Sequence, residues 1–297
     1  MQVVASIFIL MAGVLWGSQG IFAKDLSAAG LSIYNIAAIR ISGCAIFILL
    51  AVLLLKRALL KIRLQDVWLF LGSGLISIVD FTCLYYQAIA LSSMGTAAVL
   101  LYISPALVTL MSCLFFKEQI TKRKILALAC AICGCICVSG VLGSGMTVNV
   151  SGFACGIGAG FCYALYSIFS AAAMHRGYHP FTVMVYTFVI GSAGILPLAD
   201  FGELQQVNAA VPGLYVQEIL FVLVAALLPY LFYTIGLRSL DPSKAAIMAS
   251  MEAVSAAIFG ITVFDEPLSA NIVIGIVAVL GSVIVLNLKV PQMSRVH

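Results

Sequence analysis

Long apolar runs recur along the whole sequence, separated by short stretches in which charged residues, Gly, Pro and Asn collect. A helix needs about 20 mostly apolar residues to cross the hydrocarbon core of a bilayer. Of the 297 residues, 63% are hydrophobic and only 9% are charged, whereas a soluble domain carries about 25% charged residues. The surplus apolar surface is expected to face lipid. The pattern excludes soluble and disordered classes and predicts an all-α polytopic membrane protein.

The breaks between the runs predict ten transmembrane helices joined by short loops. The predicted spans are about 4–23, 33–55, 66–90, 94–115, 123–141, 152–174, 181–199, 217–238, 243–264 and 269–288. The least regular connection is expected at about 200–216, where Asp200, Glu203, Asn208 and Pro212 interrupt the apolar sequence.

Basic residues orient these spans, because loops on the cytoplasmic side of a membrane are enriched in Lys and Arg. If both termini are cytoplasmic, every basic residue except Lys24 and Arg40 falls on the cytoplasmic side. That set comprises Lys56, Arg57, Lys61, Arg63, Lys117, Lys122, Arg123, Lys124, Arg176, Arg238, Lys244, Lys289 and Arg295. The chain is therefore predicted to lie in a bacterial cytoplasmic (inner) membrane with both termini inside.

An internal repeat divides the chain. A shift of 148 residues brings 97–118 onto 245–266 without a gap, so that Phe116 meets Phe264 and Glu118 meets Glu266. Near the start of each half, a shift of 147 brings Trp16 onto Tyr163. We predict two five-helix repeats, at 1–145 and 146–297. Since five is an odd number, the second repeat must enter the membrane from the opposite side.

Inverted repeats are a recurrent plan of secondary transporters, which bind substrate near the bilayer midplane between the halves. The loop charges agree with inversion. Lys56, Arg57, Lys61 and Arg63 connect the second and third helices, whereas the corresponding loop near 200–216 carries acids and no Lys or Arg. The repeat therefore favours a transporter over a fixed pore.

Several residues carry a family resemblance across both halves: Trp16-Gly17-Ser18, Arg40, Pro105, and the helix ends at Glu118 and Glu266. With these features the chain resembles the EamA-type transporters of the drug/metabolite transporter superfamily. The resemblance implies ten helices, cytoplasmic termini, a central cavity and alternating access. Members of that family move amino acids, other metabolites or toxic compounds, often outward. The second half departs from the pattern at Tyr163-Ala164-Leu165 and at Ala253, which align with Trp16-Gly17-Ser18 and Pro105.

Three ionisable residues stand out within the predicted spans, where a charge usually faces a partner or a wet cavity. Glu252 is the candidate for proton coupling or substrate contact, and its alternative role is a structural ion pair with Arg40. Asp80 shares a helix face with Gln87, which indicates either cavity lining or interhelical hydrogen bonding. Arg40 is expected to snorkel outward, to pair with a carboxylate or to attract an anionic group of the substrate.

Aromatic and amide side chains supply the remaining cavity candidates. Trp16 and Gln19 lie one turn apart in the first helix, and Tyr163 and Tyr166 share a face of its repeat partner, the sixth helix. Tyr102 precedes Pro105, which removes a helical hydrogen bond and bends the fourth helix. All five are predicted to line the cavity, against the alternative of interfacial anchoring for the aromatic rings.

The sequence as a whole predicts a secondary transporter, most simply an exporter of small metabolites such as amino acids, with possible proton coupling. An uptake carrier for carboxylates is the alternative, and an intramembrane enzyme is a remote one. No metal or cofactor is expected, because Cys130, Cys133, Cys135 and Cys137 lie in one apolar run without His or carboxylate partners. The expected partners are a small-molecule substrate and the lipid bilayer, with no nucleic acid, and the expected assembly is a monomer or weak homodimer.

Overall fold

Helices make up nearly all of the computed structural model, which describes residues 2–92, 94–139, 141 and 150–288. Within that part of the chain, nine helices are long and apolar enough to cross a membrane. They are α1 (Gln2–Ala28), α2 (Ile33–Leu55), α3 (Leu64–Leu91), α4 (Thr96–Phe116), α6 (Val150–His175), α7 (Pro180–Leu198), α8 (Leu214–Leu237), α9 (Pro242–Phe264) and α10 (Ala270–Asn287). A further helix, α5, spans Lys122–Val138 with 17 residues. Together they form the predicted ten-helix bundle.

The ten helices coincide with the ten predicted spans, and the main difference lies in the connection at 200–216. That segment was expected to be irregular, but it contains a helix at Phe201–Ala210, here called the connecting helix. The Asp200 carboxylate starts it by accepting hydrogen bonds from the N–H groups of Gly202 (2.9 Å) and Glu203 (3.1 Å). The predicted repeat boundary at 145/146 and the basic residues Lys289 and Arg295 lie outside the described residues.

Successive helices run in alternate directions, so α1 and α6 begin at opposite ends of the bundle. We call the end with the loops at 56–63, 117–121, 176–179 and 238–241 the basic end. The end with the loops at 29–32, 199–213 and 265–269 is the opposite end. Between the ends, the outer faces carry exposed apolar side chains such as Leu54, Leu114, Phe115, Val277 and Ile284. Those faces fit a lipid surround.

The backbone repeats itself at the same shift of 148 residues that the sequence shows. Helices α4 and α9 end on Lys117 (φ 55°) and Asp265 (φ 53°), the two described non-glycine residues with positive φ. In both places the next N–H reaches back across the turn: Glu118 donates to the Ser112 carbonyl at 3.3 Å, and Glu266 to that of Gly260 at 3.2 Å. Both helices therefore end in a Schellman motif, in which a residue with left-handed backbone conformation terminates the helix.

Each repeat packs against the other along most of the bundle. Helix α1 lies along α8 and α9, α6 lies along α3 and α4, α2 packs on α7, and α5 packs on α10. The contact between α5 and α10 is close because Gly134 faces Gly275: a β-carbon built on Gly275 would lie 2.6 Å from the Gly134 carbonyl oxygen. The seam between the repeats therefore runs through the middle of the molecule.

Candidate functional site

A narrow cavity lies on that seam; the space between its lining atoms is about 620 Å³ when the part open to solvent is included. It is lined by residues of α1, α3, α4, α6, α8 and α9, so both repeats contribute to its wall. The lining consists of Trp16, Ser77, Leu101, Tyr102, Ser104, Pro105, Val108, Tyr163, Tyr166, Ser167, Tyr230, Tyr233, Ala246, Ala249, Ser250 and Glu252.

Two broken helices place polar groups at the cavity. Helix α4 is interrupted between Leu101 and Ser104, and α9 is interrupted at Ser250. The breaks correspond at the 148-residue shift. In α4 the cause is Pro105, which has no N–H to donate to the carbonyl of the preceding turn. Non-helical backbone at membrane depth is tolerated where it is buried in protein or borders a water-filled cavity.

Glu252 stands in the first turn after the α9 break. Its Oε2 accepts a hydrogen bond from the Tyr163 hydroxyl at 3.3 Å, which joins the ninth helix to the sixth. The predicted alternative, an ion pair with Arg40, is not among the ion pairs of the described residues. Arg40 is buried in α2 and donates from Nη2 to the Thr82 hydroxyl at 3.2 Å. The carboxylate therefore keeps acceptor capacity toward the cavity.

The rest of the wall is mainly aromatic. The rings of Trp16 and Tyr230 meet edge to face, with centroids 5.1 Å apart, and Tyr166 meets Tyr230 in the same way at 5.2 Å. Tyr233 lies 5.3 Å from Trp16. Such geometry is the favoured arrangement of aromatic pairs. These rings form one connected surface, here called the aromatic wall (Trp16, Tyr166, Tyr230 and Tyr233).

Hydrogen bonds fix two members of the aromatic wall. The Thr234 hydroxyl donates its proton to the Tyr230 carbonyl at 2.7 Å. The Tyr166 hydroxyl is therefore the donor in the 2.8 Å hydrogen bond between Tyr166 and Thr234. Tyr233 and Ser167 share a 2.6 Å bond between α8 and α6. With their hydroxyls engaged by neighbouring helices, these tyrosines present mostly ring surface to the cavity.

The structure brings five of the nine predicted site residues to this cavity: Trp16, Tyr102, Tyr163, Tyr166 and Glu252. The other four lie elsewhere. Arg40 is buried beside Thr82, Gln19 is half-buried past the break in α1, and Asp80 and Gln87 are exposed on one face of α3. Roles in transport for all nine remain predictions.

Sequence reasoning did not single out Tyr230, Tyr233 or Ser250. Tyr230 and Tyr233 have the same three-residue spacing as Tyr163 and Tyr166, and Tyr230 follows Pro229. Ser250 corresponds to Tyr102 at the 148-residue shift. Spacing and repeat position were therefore signals that could have identified all three.

At the basic end a polar network joins α4 to α9 along the wall of a second, wider pocket. Glu118 accepts hydrogen bonds from the Lys124 ammonium and the Ser243 hydroxyl, and Lys124 also reaches Asp241 at 3.2 Å. Only 8% of the Glu118 side chain is exposed. We call Glu118, Lys124, Asp241 and Ser243 the basic-end network. It joins residues of the first repeat to residues of the second.

The opposite end has no such network around Glu266, the repeat partner of Glu118. Glu266 is exposed and forms no ion pair with another described residue. Within the described residues, the first part of α4 and the last part of α9 do not pack extensively. Lys24, whose ammonium lies 3.7 Å above the Phe264 ring, ties α1 to α9 there. Helices α4 and α9 are therefore more loosely joined at this end than at the basic end.

No group of three or more metal-ligating His, Cys, Asp or Glu side chains occurs among the residues that the structure describes. Of the four clustered cysteines, Cys135 is buried and packs with Ala253, Val254 and Val279. The candidate site is thus a cavity with one carboxylate, several hydroxyls and an aromatic wall.

Comparison with known proteins agrees with this architecture. The EamA-like transporter family matches twice, at residues 3–140 and 150–288. The chain is 23% identical over 257 residues to the uncharacterized transporter YyaM of Bacillus subtilis (strain 168), covering 84% of each protein. It is also 24% identical to the uncharacterized transporter YetK of the same organism, over 98% of this chain and 89% of YetK.

A solved crystal structure shares the fold. It superposes with a TM-score of 0.79 over 95% of this chain and 96% of that chain, at 15% sequence identity. The duplicated family match, the named transporters and the ten-helix inverted bundle lead to one conclusion: the chain is a multi-pass membrane transporter that belongs to the EamA-like transporter family.

Proposed function

We propose that the protein is a secondary active transporter that exports small metabolites, such as amino acids or related compounds, through the cavity between its repeats. The observation that carries the proposal is the position of this cavity on the seam between two inverted halves. A substrate site there becomes accessible from either side when one half rocks against the other.

The orientation follows from the loop charges. We place the protein in the bacterial inner membrane with the basic end in the cytoplasm, as the positive-inside rule favours. In that orientation the basic-end network lies on the cytoplasmic side of the seam cavity, on the wall of the wider pocket. Export requires a state in which Glu118 separates from Ser243 and the seam cavity opens to the cytoplasm.

Glu252 is the proposed coupling residue, because among the described residues it is the single acidic or basic side chain on the cavity wall. The groups that interact with it electrostatically come from six other helices: Arg40, Tyr85, Tyr102, Cys135, Tyr163 and Tyr230. Arg40 is the one permanent cation among them. Proton binding to Glu252 would change the charge of the cavity, which supports coupling of transport to a proton gradient.

The experiment is transport by the purified protein in reconstituted vesicles, after a metabolite panel scored by thermal stabilisation has identified a solute. We expect Glu252→Gln to lower the transport rate and to flatten its pH dependence, since the amide cannot exchange a proton. Glu266→Gln is the matched control and should keep both. An unchanged rate and pH profile for Glu252→Gln would remove Glu252 from the mechanism, and failure of every panel solute to cross the membrane would contradict transport itself.

The carboxylate-uptake alternative receives no support from the cavity. A carboxylate substrate would need a cationic partner, and neither Lys nor Arg belongs to the lining. A monomer or weak homodimer remains our proposal for the assembly.

A further inference from the structure

The charge of the cavity points to the charge of its ligand. Glu252 contributes one formal negative charge, and the other described residues of the lining are neutral. Arg40, the buried cation of α2, is engaged with Thr82 and does not belong to the wall, although its charge acts on Glu252 from outside the cavity. At the wall itself a negatively charged ligand would be repelled by Glu252, whereas a cation would be attracted to it across a medium of low dielectric constant.

The hydrogen bonding of Glu252 also favours a cationic ligand. An ionised carboxylate has about four acceptor sites, and the described protein groups supply one donor, the Tyr163 hydroxyl at 3.3 Å. That hydrogen bond has an uncharged donor and is long, so it offsets little of the free-energy cost of placing a carboxylate at membrane depth. A ligand ammonium would supply both the opposite charge and several N–H donors.

The aromatic wall completes the site for a cation with an apolar body. Trp and Tyr faces attract ammonium groups within about 6 Å of the ring centroid. The hydroxyls of Tyr166 and Tyr233 are engaged by Thr234 and Ser167, which leaves ring surface for apolar contact.

We propose that the cavity selects monocationic amines with an apolar, preferably aromatic, body, and that it binds their ammonium group at Glu252 and Tyr163 and their body against the aromatic wall. This inference rests on the proposed function, because it names the substrate class of the same cavity. The proposal also predicts how the binding affinity of related compounds depends on their charge. An amine binds more tightly than the amino acid that carries the same body, because the described cavity wall offers no cationic side chain to pair with the additional carboxylate of the amino acid.

The test uses four probes that share a phenyl body and differ in charge: 2-phenylethylamine, phenylalanine, 2-phenylethanol and 3-phenylpropionate. Binding to the purified full-length protein is followed through the fluorescence of Trp16, in a Trp68→Phe background. The chain has two tryptophans, and Trp68 is 51% exposed near the basic end. We expect the amine to bind at least about tenfold more tightly than the acid, as a cation–π contact combined with a charge pair predicts.

Glu252→Gln should weaken amine binding by about tenfold or more and bring it close to that of the alcohol. The matched control Glu266→Gln, an exposed carboxylate outside the cavity, should leave it unchanged. Tight binding of 3-phenylpropionate or phenylalanine, equal binding of all four probes, binding of none, or full amine affinity in Glu252→Gln would each overturn the proposal. If Glu252→Gln does not fold, the order of the four probes on the otherwise native protein decides.

Transport of the same probes in vesicles separates this inference from the proposed function. If the amine binds at the cavity but does not cross the membrane, the inference stands and transport of that class fails. If phenylalanine is carried and the amine is neither bound nor carried, the transporter stands and the selection of cationic amines is wrong.

Discussion

Helices α4 and α9 have the same backbone design but different side-chain chemistry. Both are broken in the middle, at 102–103 and at Ser250, and both end on a left-handed residue followed by Glu118 or Glu266. At the 148-residue shift, however, Glu252 of α9 corresponds to Ser104 of α4. Glu118 is enclosed in the basic-end network, whereas Glu266 is exposed.

The difference shows how a duplicated scaffold can serve two tasks. If the side chains also repeated, the inverted symmetry would make the contacts between the repeats equally strong at the two ends. Instead, the acid that follows α4 joins the two repeats at one end, and α9 contributes the acid that lies in the cavity. Under the proposed mechanism the symmetric backbone permits two alternative states, and the asymmetric side chains set the balance between them.

The largest effect is expected from breaking the basic-end network. Glu118→Gln removes the ion pair with Lys124 and weakens the bond from Ser243, and loss of one partner of a buried pair costs about 3–5 kcal/mol. We expect the basic end to open and transport to fall about tenfold or more, as that loss exceeds the 1.4 kcal/mol of one decade. Spin labels at Lys117 and Ser239, in a cysteine-free protein, should report a population with a longer distance.

The control for that variant is Glu266→Gln at the equivalent position. Because Glu266 lacks the network, this change should alter neither the label distance nor the transport rate appreciably. Equal effects of the two substitutions would show that the ends do not differ in the way described.

A second comparison concerns α1 and α6, which cross the broken helices. A β-carbon on Gly17 would lie 2.5 Å from Ser255 Cβ and 2.7 Å from the Ala256 nitrogen of α9. The equivalent residue of α6 is Ala164, which is buried without difficulty. We expect Gly17→Ala to destabilise the protein by about 1–3 kcal/mol through overpacking, and to lower ligand affinity because α9 moves with Glu252.

Ala164→Gly is the reciprocal change, and it should cost only about 1 kcal/mol, mainly through helix propensity. Thermal unfolding in detergent measures both variants. A Gly17→Ala protein as stable as the native one would mean that α1 and α9 are not in close contact.

The smallest effect is expected at the opposite end, where Glu203 joins the connecting helix to α2. Its carboxylate accepts hydrogen bonds from the Ser32 N–H and from Asn35 Nδ2 (2.9 Å), and the Ser32 bond holds the pKa of Glu203 below its usual value. A lowered folded-state pKa gives stability that is present above the unfolded pKa of about 4.3 and is lost as pH falls through the folded value.

The native protein should therefore lose more thermal stability on acidification below about pH 4.3 than Glu203→Gln does. The measurement is the melting temperature at a series of pH values for both proteins. Parallel curves would show that Glu203 contributes nothing to the joint between the halves at this end.

Much of the fold could be predicted from the sequence because hydropathy and loop charge act locally. The ten spans and the duplicated ending at Glu118 and Glu266 follow from residue patterns alone. The connecting helix could not be predicted in this way, because its first turn depends on hydrogen bonds to the Asp200 side chain. The polar, Pro-containing sequence of this segment does not indicate those bonds. Asp80 and Gln87 were correctly placed on one face of α3, but the direction of that face depends on packing against α6 and α7.

The candidate site was predictable where the repeat constrained it. Trp16 and Tyr163 correspond in the two halves, and both line the cavity. Arg40 shows the limit of such reasoning: a buried charge needs a partner, but only the three-dimensional packing identifies Thr82 rather than Glu252. Tyr230 and Tyr233 are surrounded by apolar sequence, so their position at the seam depends on how α8 packs on α1.

The most direct test of alternating access is the accessibility of one cavity position from each side of the membrane. Ala249→Cys places a thiol on the cavity wall of an otherwise cysteine-free protein, and a membrane-impermeant maleimide is added to oriented vesicles from one side at a time. We predict labelling mainly from the opposite end, and a transfer of labelling to the basic end when Glu118→Gln is added. Equal labelling from both sides that Glu118→Gln does not change would contradict the account.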